Sequence, residues 1–512
     1  MTQRTNDNKR IVYNTILLYI RMLFLVLISL YTSRIVLQTL GVEDFGINNV
    51  VGGIISFLGF LTSSLAGASS RFITVALGKG NLIELKKIFN NIISIHILFA
   101  FIIFVLGETI GLWFVSTKLN IPANREFAAF WVYQFSIITA MGSFISMPYN
   151  AAIIAHEKMS AFAYLTIGDA LLKLLAVFML TISPYDRLIM YAGMILCIQL
   201  FDFIIYIIYC NKKFPETHLT KLTINNTLFK EIFYYAGWTM NGSLAVFGYT
   251  QGLNILLNIF FNPAINAARG IAVQVQNIIN NFSYNFQMAI NPQLTKSYAQ
   301  GDLSRMHQLL IASTKFSVFL LFFICLPLIL EAPLVLKWWL GQYPEYTVSF
   351  LRLILITSIL FALSNPIGTA IHATGKIKKF QIAEGSSLLT IVPIAYLLLK
   401  FFHVPPECVF IVHILIEMFT QYIRIRIVLP QINLPLKTYW IVALKPIIKV
   451  LILSSIIPIF LCSYMEYNLP NFFIICIICV LSCGLSIYKW GCSKEEKQLI
   501  IKKIINIKNI GR

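Results

Sequence analysis

Two arginines lie where a lipid bilayer would make an unpaired charge costly. Arg21 falls within an apolar run that begins near residue 11. About ten residues of helix carry it roughly 15 Å in, close to a bilayer midplane. Arg269 heads a second set, with Gln276, Asn280 and Gln287 following at 7, 11 and 18 residues. At about 100° per residue, all three share one helical face with it, within roughly 20°. The preceding apolar run adds Asn241, Gln251, Asn254 and Asn258. A guanidinium is a planar, permanently charged fork suited to phosphate. Amides and the hydroxyls of Tyr249 and Tyr284 suit sugar hydroxyls. An anionic, hydroxyl-rich ligand on a lipid tail would match both chemistries. The plainer reading is that these groups hydrogen-bond neighbouring helices, as Asn and Gln commonly do in membranes.

Acidic positions inside apolar runs bear on energy coupling. Asp169 and Lys173 are one turn apart and could simply neutralise one another. His413 and Glu417 share a helical face, with Gln421 below them. That pair could carry protons or form a static hydrogen bond, and both readings stand. Asp202 and Glu331 complete the set, Glu331 lying between Pro327 and Pro333. A helix broken there could expose carbonyls to an ion. The expectation is therefore H+ or Na+ coupling, with no organic cofactor, no metal and no catalytic residue.

The elements that must hold these residues are hydrophobic throughout. The 512 residues are 58% hydrophobic and 12% charged, with a mean hydropathy of +0.77, far from soluble-domain composition. Runs long enough to cross a bilayer recur at 11–38, 45–66, 90–115, 127–152, 161–182, 188–209, 232–260, 265–291, 315–340, 347–371, 382–402, 407–429, 445–464 and 472–489. These predict an all-α polytopic membrane protein of about fourteen helices. The first run is too long for a signal-peptide core and is expected to remain. No loop exceeds about 20 residues, which leaves no room for a separate catalytic domain.

A net charge of +19 could suggest nucleic acid, but its distribution argues otherwise. If the amino terminus is cytoplasmic, 30 of the 40 Lys and Arg fall on that side and 7 on the other. This positive-inside asymmetry predicts both termini in the cytoplasm and makes nucleic-acid binding unnecessary. The nine Cys, including Cys476, Cys479 and Cys483 in one run, read as small buried apolar groups.

The chain also repeats itself. Pro148-Tyr149-Asn150-Ala151-Ala152-Ile153-Ile154-Ala155-His156-Glu157-Lys158 is echoed by Pro366-Ile367-Gly368-Thr369-Ala370-Ile371-His372-Ala373-Thr374-Gly375-Lys376. Upstream, Gly80-Asn81-Leu82 is echoed by Gly301-Asp302-Leu303, and Lys9-x-Ile11-x-Tyr13 by Lys230-x-Ile232-x-Tyr234. Repeated halves in a membrane protein point to transport. The expected organisation is a six-helix bundle over 1–210, a cytoplasmic linker over 211–230, a second six-helix bundle over 231–430, an extra helix pair over 431–490 and a basic tail over 491–512. In that tail Ile500, Ile501, Ile504 and Ile505 form an apolar stripe beside Lys497, Lys502, Lys503 and Lys508, suited to an anionic membrane surface.

Lys9-Arg10-Ile11, then Ser33-Arg34-Ile35-Val36-Leu37, then Leu40-Gly41-Val42-Glu43-Asp44-Phe45-Gly46 resemble the first hairpin of bacterial polysaccharide exporters. These are the Wzx-type flippases of the multidrug/oligosaccharidyl-lipid/polysaccharide (MOP) superfamily, and the resemblance extends along the whole chain. It implies two six-helix bundles in a V around a cationic cavity, with Arg21 and Arg269 lining it. It further implies flipping of undecaprenyl-diphosphate-linked oligosaccharide across a bacterial inner membrane by alternating access, for O-antigen, capsule or other surface polysaccharide. The partners would be the lipid-linked substrate, the phospholipid bilayer and polysaccharide polymerase machinery. The competing readings are a multidrug cation antiporter of the same superfamily, or a membrane polymerase or ligase acting on lipid-linked sugars.

Overall fold

The computed structural model describes residues 2–56, 59–118, 121–182, 184–218, 225–261, 263–493 and 496–498. They are all-helical, and no strand occurs among them. The apolar tail stripe from Ile500 onward lies outside the described residues, as do positions 219–224 of the expected linker and the side chain of Asn258.

The first half holds α1 (Thr2–Ser56), α2 (Gly59–Lys79), α3 (Leu82–Leu106), α4 (Leu112–Lys118), α5 (Glu126–Ala155), α6 (Met159–Ile182) and α7 (Arg187–Lys213). The second holds α8 (Asn226–Phe260), α9 (Pro263–Ala299), α10 (Leu303–Leu330), α11 (Ala332–Leu340), α12 (Thr347–Thr374), α13 (Lys378–Leu389), α14 (Ile391–Phe402) and α15 (Cys408–Gln431). A further pair follows, the short α16 (Leu436–Tyr439) running on through a π segment into α17 (Lys445–Tyr464), then α18 (Leu469–Ser486).

Local chemistry explains the breaks. Gly41 interrupts α1 with φ 79° and ψ 170°, a conformation open to glycine and costly for other residues. Asn81 caps α3, its side chain accepting from the amides of Ile83 and Glu84. The repeated Gly80 and Gly301 both take positive φ, 73° and 77°, closing α2 and α9 in the same way. The repeated prolines, Pro148 and Pro366, fall inside α5 and α12.

Ten helical stretches among the described residues are long and apolar enough to cross a membrane, and α17 and α18 are both within that set. Among the described residues of α1, Tyr13–Ser29 forms a further, shorter apolar stretch. Helices α8 and α9 carry Asn241, Gln251, Asn254, Arg269, Gln276, Asn280 and Gln287, the polar positions of the two candidate stripes.

The chain forms two compact units, Met1–Leu244 with Thr295–Asp302, and Ala245–Leu294 with Leu303–Arg512. The division falls inside α8 and near the end of α9, whereas the sequence pattern places it in the 211–230 linker. The reason is packing of the first half of α8 in unit 1. Phe233 stacks on Phe99, Tyr235 meets Phe72 edge-on, and the Ser243 and Ser64 hydroxyls hydrogen-bond at 2.9 Å. The unit 1 core gathers Val132, Tyr133 and Ile137 of α5 with Val177 and Leu180 of α6 and Leu188 of α7. The unit 2 core gathers Leu257, Ala268, Phe319, Phe350, Leu355 and Phe410. Cys479 and Cys483 of α18 are fully buried against Phe322 and Leu326 of α10, as small apolar residues.

Candidate functional site

Each unit carries its own polar cluster. In unit 1, α1 packs on α6, and Arg21 Nε donates to Thr166 Oγ1 at 2.7 Å. The same guanidinium lies 4.4 Å from the centroid of the Phe162 ring, a cation–π contact one turn earlier on α6. Further along α6, Lys173 Nζ sits 2.8 Å from Asp169 Oδ1, and these side chains are 45% and 29% exposed. Asp202 on α7, which packs on α6, interacts electrostatically with Asp169 and Lys173. One turn on, the Tyr206 hydroxyl accepts from Asn150 Nδ2 at 3.4 Å. The structure thus adds a second carboxylate to the Asp169 and Lys173 pair read in the sequence.

In unit 2, Arg269 is 6% exposed. Its guanidinium donates to Asn254 Oδ1 and, at 3.1 Å, to the Thr250 carbonyl on α8, while Nε has no partner among the described residues. Asn254 in turn donates to Gln251 Oε1 at 3.1 Å. The rest of the stripe on α9 faces other helices of the unit. Gln276 donates to Thr357 Oγ1 on α12 at 3.2 Å, and Gln287 to Ser283 and Ser317 at 3.1 and 3.0 Å. Asn280 buries an Oδ1 that has no partner among the described residues. Asn241 belongs to unit 1 and is exposed, at a groove of about 860 Å³ lined also by Phe229, Phe233 and Trp238.

The pair His413 and Glu417 is not a dyad. His413 packs against the Tyr249 ring, 5.1 Å between centroids. Glu417 instead accepts from Arg424 at 2.5 Å, and Arg424 Nε donates to Glu384 Oε1 at 2.7 Å. Gln421 Oε1 accepts from the same guanidinium at 3.3 Å. Arg424, which the charge pattern puts on the cytoplasmic side, is 3% exposed within α15. Its signal is present in the sequence: Glu417, Gln421 and Arg424 follow at helical spacing on one face.

The Leu-Gly-x-x-Asp-Phe-Gly segment has a structural part to play. Arg125 holds Asp44 with two donors and reaches Asp186 Oδ2 at 2.6 Å. Asp186 also caps α7 by accepting from the amides of Leu188 and Ile189. Burial pushes the Asp186 carboxyl up, but those amides and Arg125 outweigh it and hold it below the usual range. Glu331 is buried at the junction of α10 and α11, the break its flanking prolines predict. Among the described residues, no three His, Cys, Asp or Glu side chains gather as metal ligands.

The fold is similar to that of solved transporters of the MOP superfamily. An outward-facing multidrug resistance MATE family transporter of that superfamily superposes with a TM-score of 0.74 at 13% identity, over 83% of this chain and 96% of that one. A MOP-superfamily transporter from Pyrococcus furiosus, described by a binding pocket of reverse polarity that suggests a different function, gives 0.71 at 14%, with the same coverage. A Vibrio cholerae MATE transporter, VcmN, gives 0.63 at 16%, again over 83% and 96%. By sequence, the chain is 18% identical over 278 residues to the uncharacterized membrane protein EpsK of Bacillus subtilis. That match spans 54% of this chain and about half, 55%, of EpsK. No protein-family model matches the chain.

Proposed function

We propose that this chain flips undecaprenyl-diphosphate-linked oligosaccharide from the cytoplasmic to the periplasmic leaflet of a bacterial inner membrane, supplying cell-surface polysaccharide. The observation that carries the reading is one arginine set among polar partners on a membrane helix of each unit, Arg21 beside Thr166 and Arg269 beside Asn254. Such groups favour a phosphate-bearing, hydroxyl-rich ligand over a lipophilic cation. The transporter-like fold and the repeated halves support transport as the activity. Both termini lie in the cytoplasm on this reading, and polymerase machinery takes up the product.

Coupling would use the carboxylate clusters. Asp169 and Asp202 with Lys173 leave one negative charge, which a proton or Na+ can neutralise. Those same carboxylates favour a second reading, a multidrug cation antiporter. Complementation separates the two. A bacterium lacking its own flippase, given this chain and the matching biosynthetic genes, should regain surface polymer and drain the inner-leaflet pool of lipid-linked units. Drug resistance that rises while the pool stays trapped would replace the flippase by the antiporter.

A further inference from the structure

The two copies of the repeated signature end in turns that differ at one position. After α12 the turn residue is Gly375, with φ 76°. After α5 its counterpart is Glu157, with φ 58°, although a side chain makes that left-handed conformation unfavourable. A residue kept there against its backbone preference has work for its side chain. Glu157 is 4% exposed and its Oε1 accepts from Lys296 Nζ at 2.9 Å. Lys296 lies on the last turns of α9, in the stretch Thr295–Asp302 that belongs to unit 1 while the rest of α9 belongs to unit 2.

Repeat symmetry does not require this pair. The shift relating Gly80 to Gly301 relates Val75 to Lys296, so neither Glu157 nor Lys296 has a charged counterpart. The same shift relates Gly78 to Ala299, and these two face each other. A Cβ on Gly78 would lie 2.8 Å from Ala299 Cβ and 3.3 Å from the Lys296 carbonyl, so the α9 end rests closely on α2. The turn itself is anchored independently. The His156 ring stacks on Phe214 at 4.1 Å, and its Nε2 lies 2.5 Å from Glu216 Oε1, which is buried. An anchored turn, a smooth glycine bearing and an ion pair between them form a contact that can open without unfolding either helix.

We propose that the Glu157–Lys296 pair is a releasable latch, holding the end of α9 on the α5–α6 turn in this structure and letting it go during the transport cycle. The cycle rests on the transporter reading, whereas the latch itself can be measured on the purified full-length protein. Hydrogen–deuterium exchange over residues 290–302 is the readout. E157Q and K296M should each raise exchange there several-fold, as local opening does. E157G, which relieves the backbone but removes the carboxylate, should open it as E157Q does. The charge swap E157K/K296E should return exchange towards wild type, which also guards against a variant that merely misfolds. Unchanged exchange in E157Q and K296M, or a swap as open as the single variants, overturns the latch. In the complementation assay, E157Q should reach normal membrane levels yet export less polymer. Full export with a demonstrably open α9 end would remove the latch from the cycle. A wild-type chain that exports no lipid-linked unit would sink the flippase reading and leave the exchange result standing.

Discussion

The two units carry charge clusters of the same formula and opposite character. Unit 1 sets Asp169 and Asp202 against Lys173, and unit 2 sets Glu384 and Glu417 against Arg424. In unit 1 the cation is a flexible ammonium, nearly half exposed, one helical turn from its partner. In unit 2 it is a buried guanidinium bridging two helices. A planar fork holds two carboxylates at fixed angles, while an ammonium is a point charge that can turn away. The difference makes unit 2's cluster a rigid tie between helices and leaves unit 1's cation freer to move.

The largest effect is expected from Arg424→Ala. Glu417 would be left buried, and Glu384 partly buried, without their cation, and about 3–5 kcal/mol of stability should go. Low membrane abundance and a lowered melting temperature in detergent would show it. Arg424→Lys should recover little, because an ammonium cannot bridge Glu384 and Glu417 as a fork does. A stable, exporting Arg424→Ala protein would dissolve the contrast between the units.

Next come Arg21 and Arg269, the two arginines of the proposed phosphate site. Arg21→Ala should lose export at near-normal abundance, with Arg21→Lys partly active, since this side chain is half-buried. Arg269→Ala should lose export and some stability together, because Asn254 and the Thr250 carbonyl lose a buried donor, at about 1–3 kcal/mol. Surface polymer measured against membrane abundance separates the two patterns.

Smaller in stability is Lys173→Ala. An exposed pair one turn apart contributes about 0–1 kcal/mol, so the melting temperature should barely move while, on the proposed coupling, export falls. Equal loss of both would assign Lys173 a structural part like that of Arg424.

The smallest effect concerns pH. Asp186 is held below the usual carboxylate range in the folded protein. Its contribution is therefore present above the unfolded value, about 3.9, and disappears as pH falls through the lowered folded value. Asp186→Asn should lower the melting temperature slightly at neutral pH and flatten the acid limb, so that the two profiles converge at low pH. An unaltered acid limb would mean that other carboxylates set it.

Much of this architecture is legible in the residues alone. The repeat marks equivalent turns, and Gly80 and Gly301 do share one backbone conformation. The Arg269, Gln276 and Gln287 spacing describes a single face, since helical period alone decides it. What that face meets is not legible, because hydrogen bonds to Asn254, Thr357 and Ser317 depend on how helices cross. The His413 and Glu417 pairing misleads for a similar reason. Adjacency on α15 is plain, but Arg424 competes for Glu417 from further along the helix, and its charge reads as cytoplasmic in the sequence. Glu384 arrives from α13, which no local pattern could link to α15.

The polarity of α8 and α9 has a consequence for biogenesis. A segment bearing an arginine and several amides partitions poorly from the translocon into lipid by itself. These two helices lie mid-chain, after the helices of the first half and before the apolar α10. In the folded protein α8 packs on rings of the first half, Phe99 and Phe72, and its insertion is expected to draw on them. A chain stalled after α9 is expected to present its polar face to lipid until α10 and α12 bring Ser317 and Thr357.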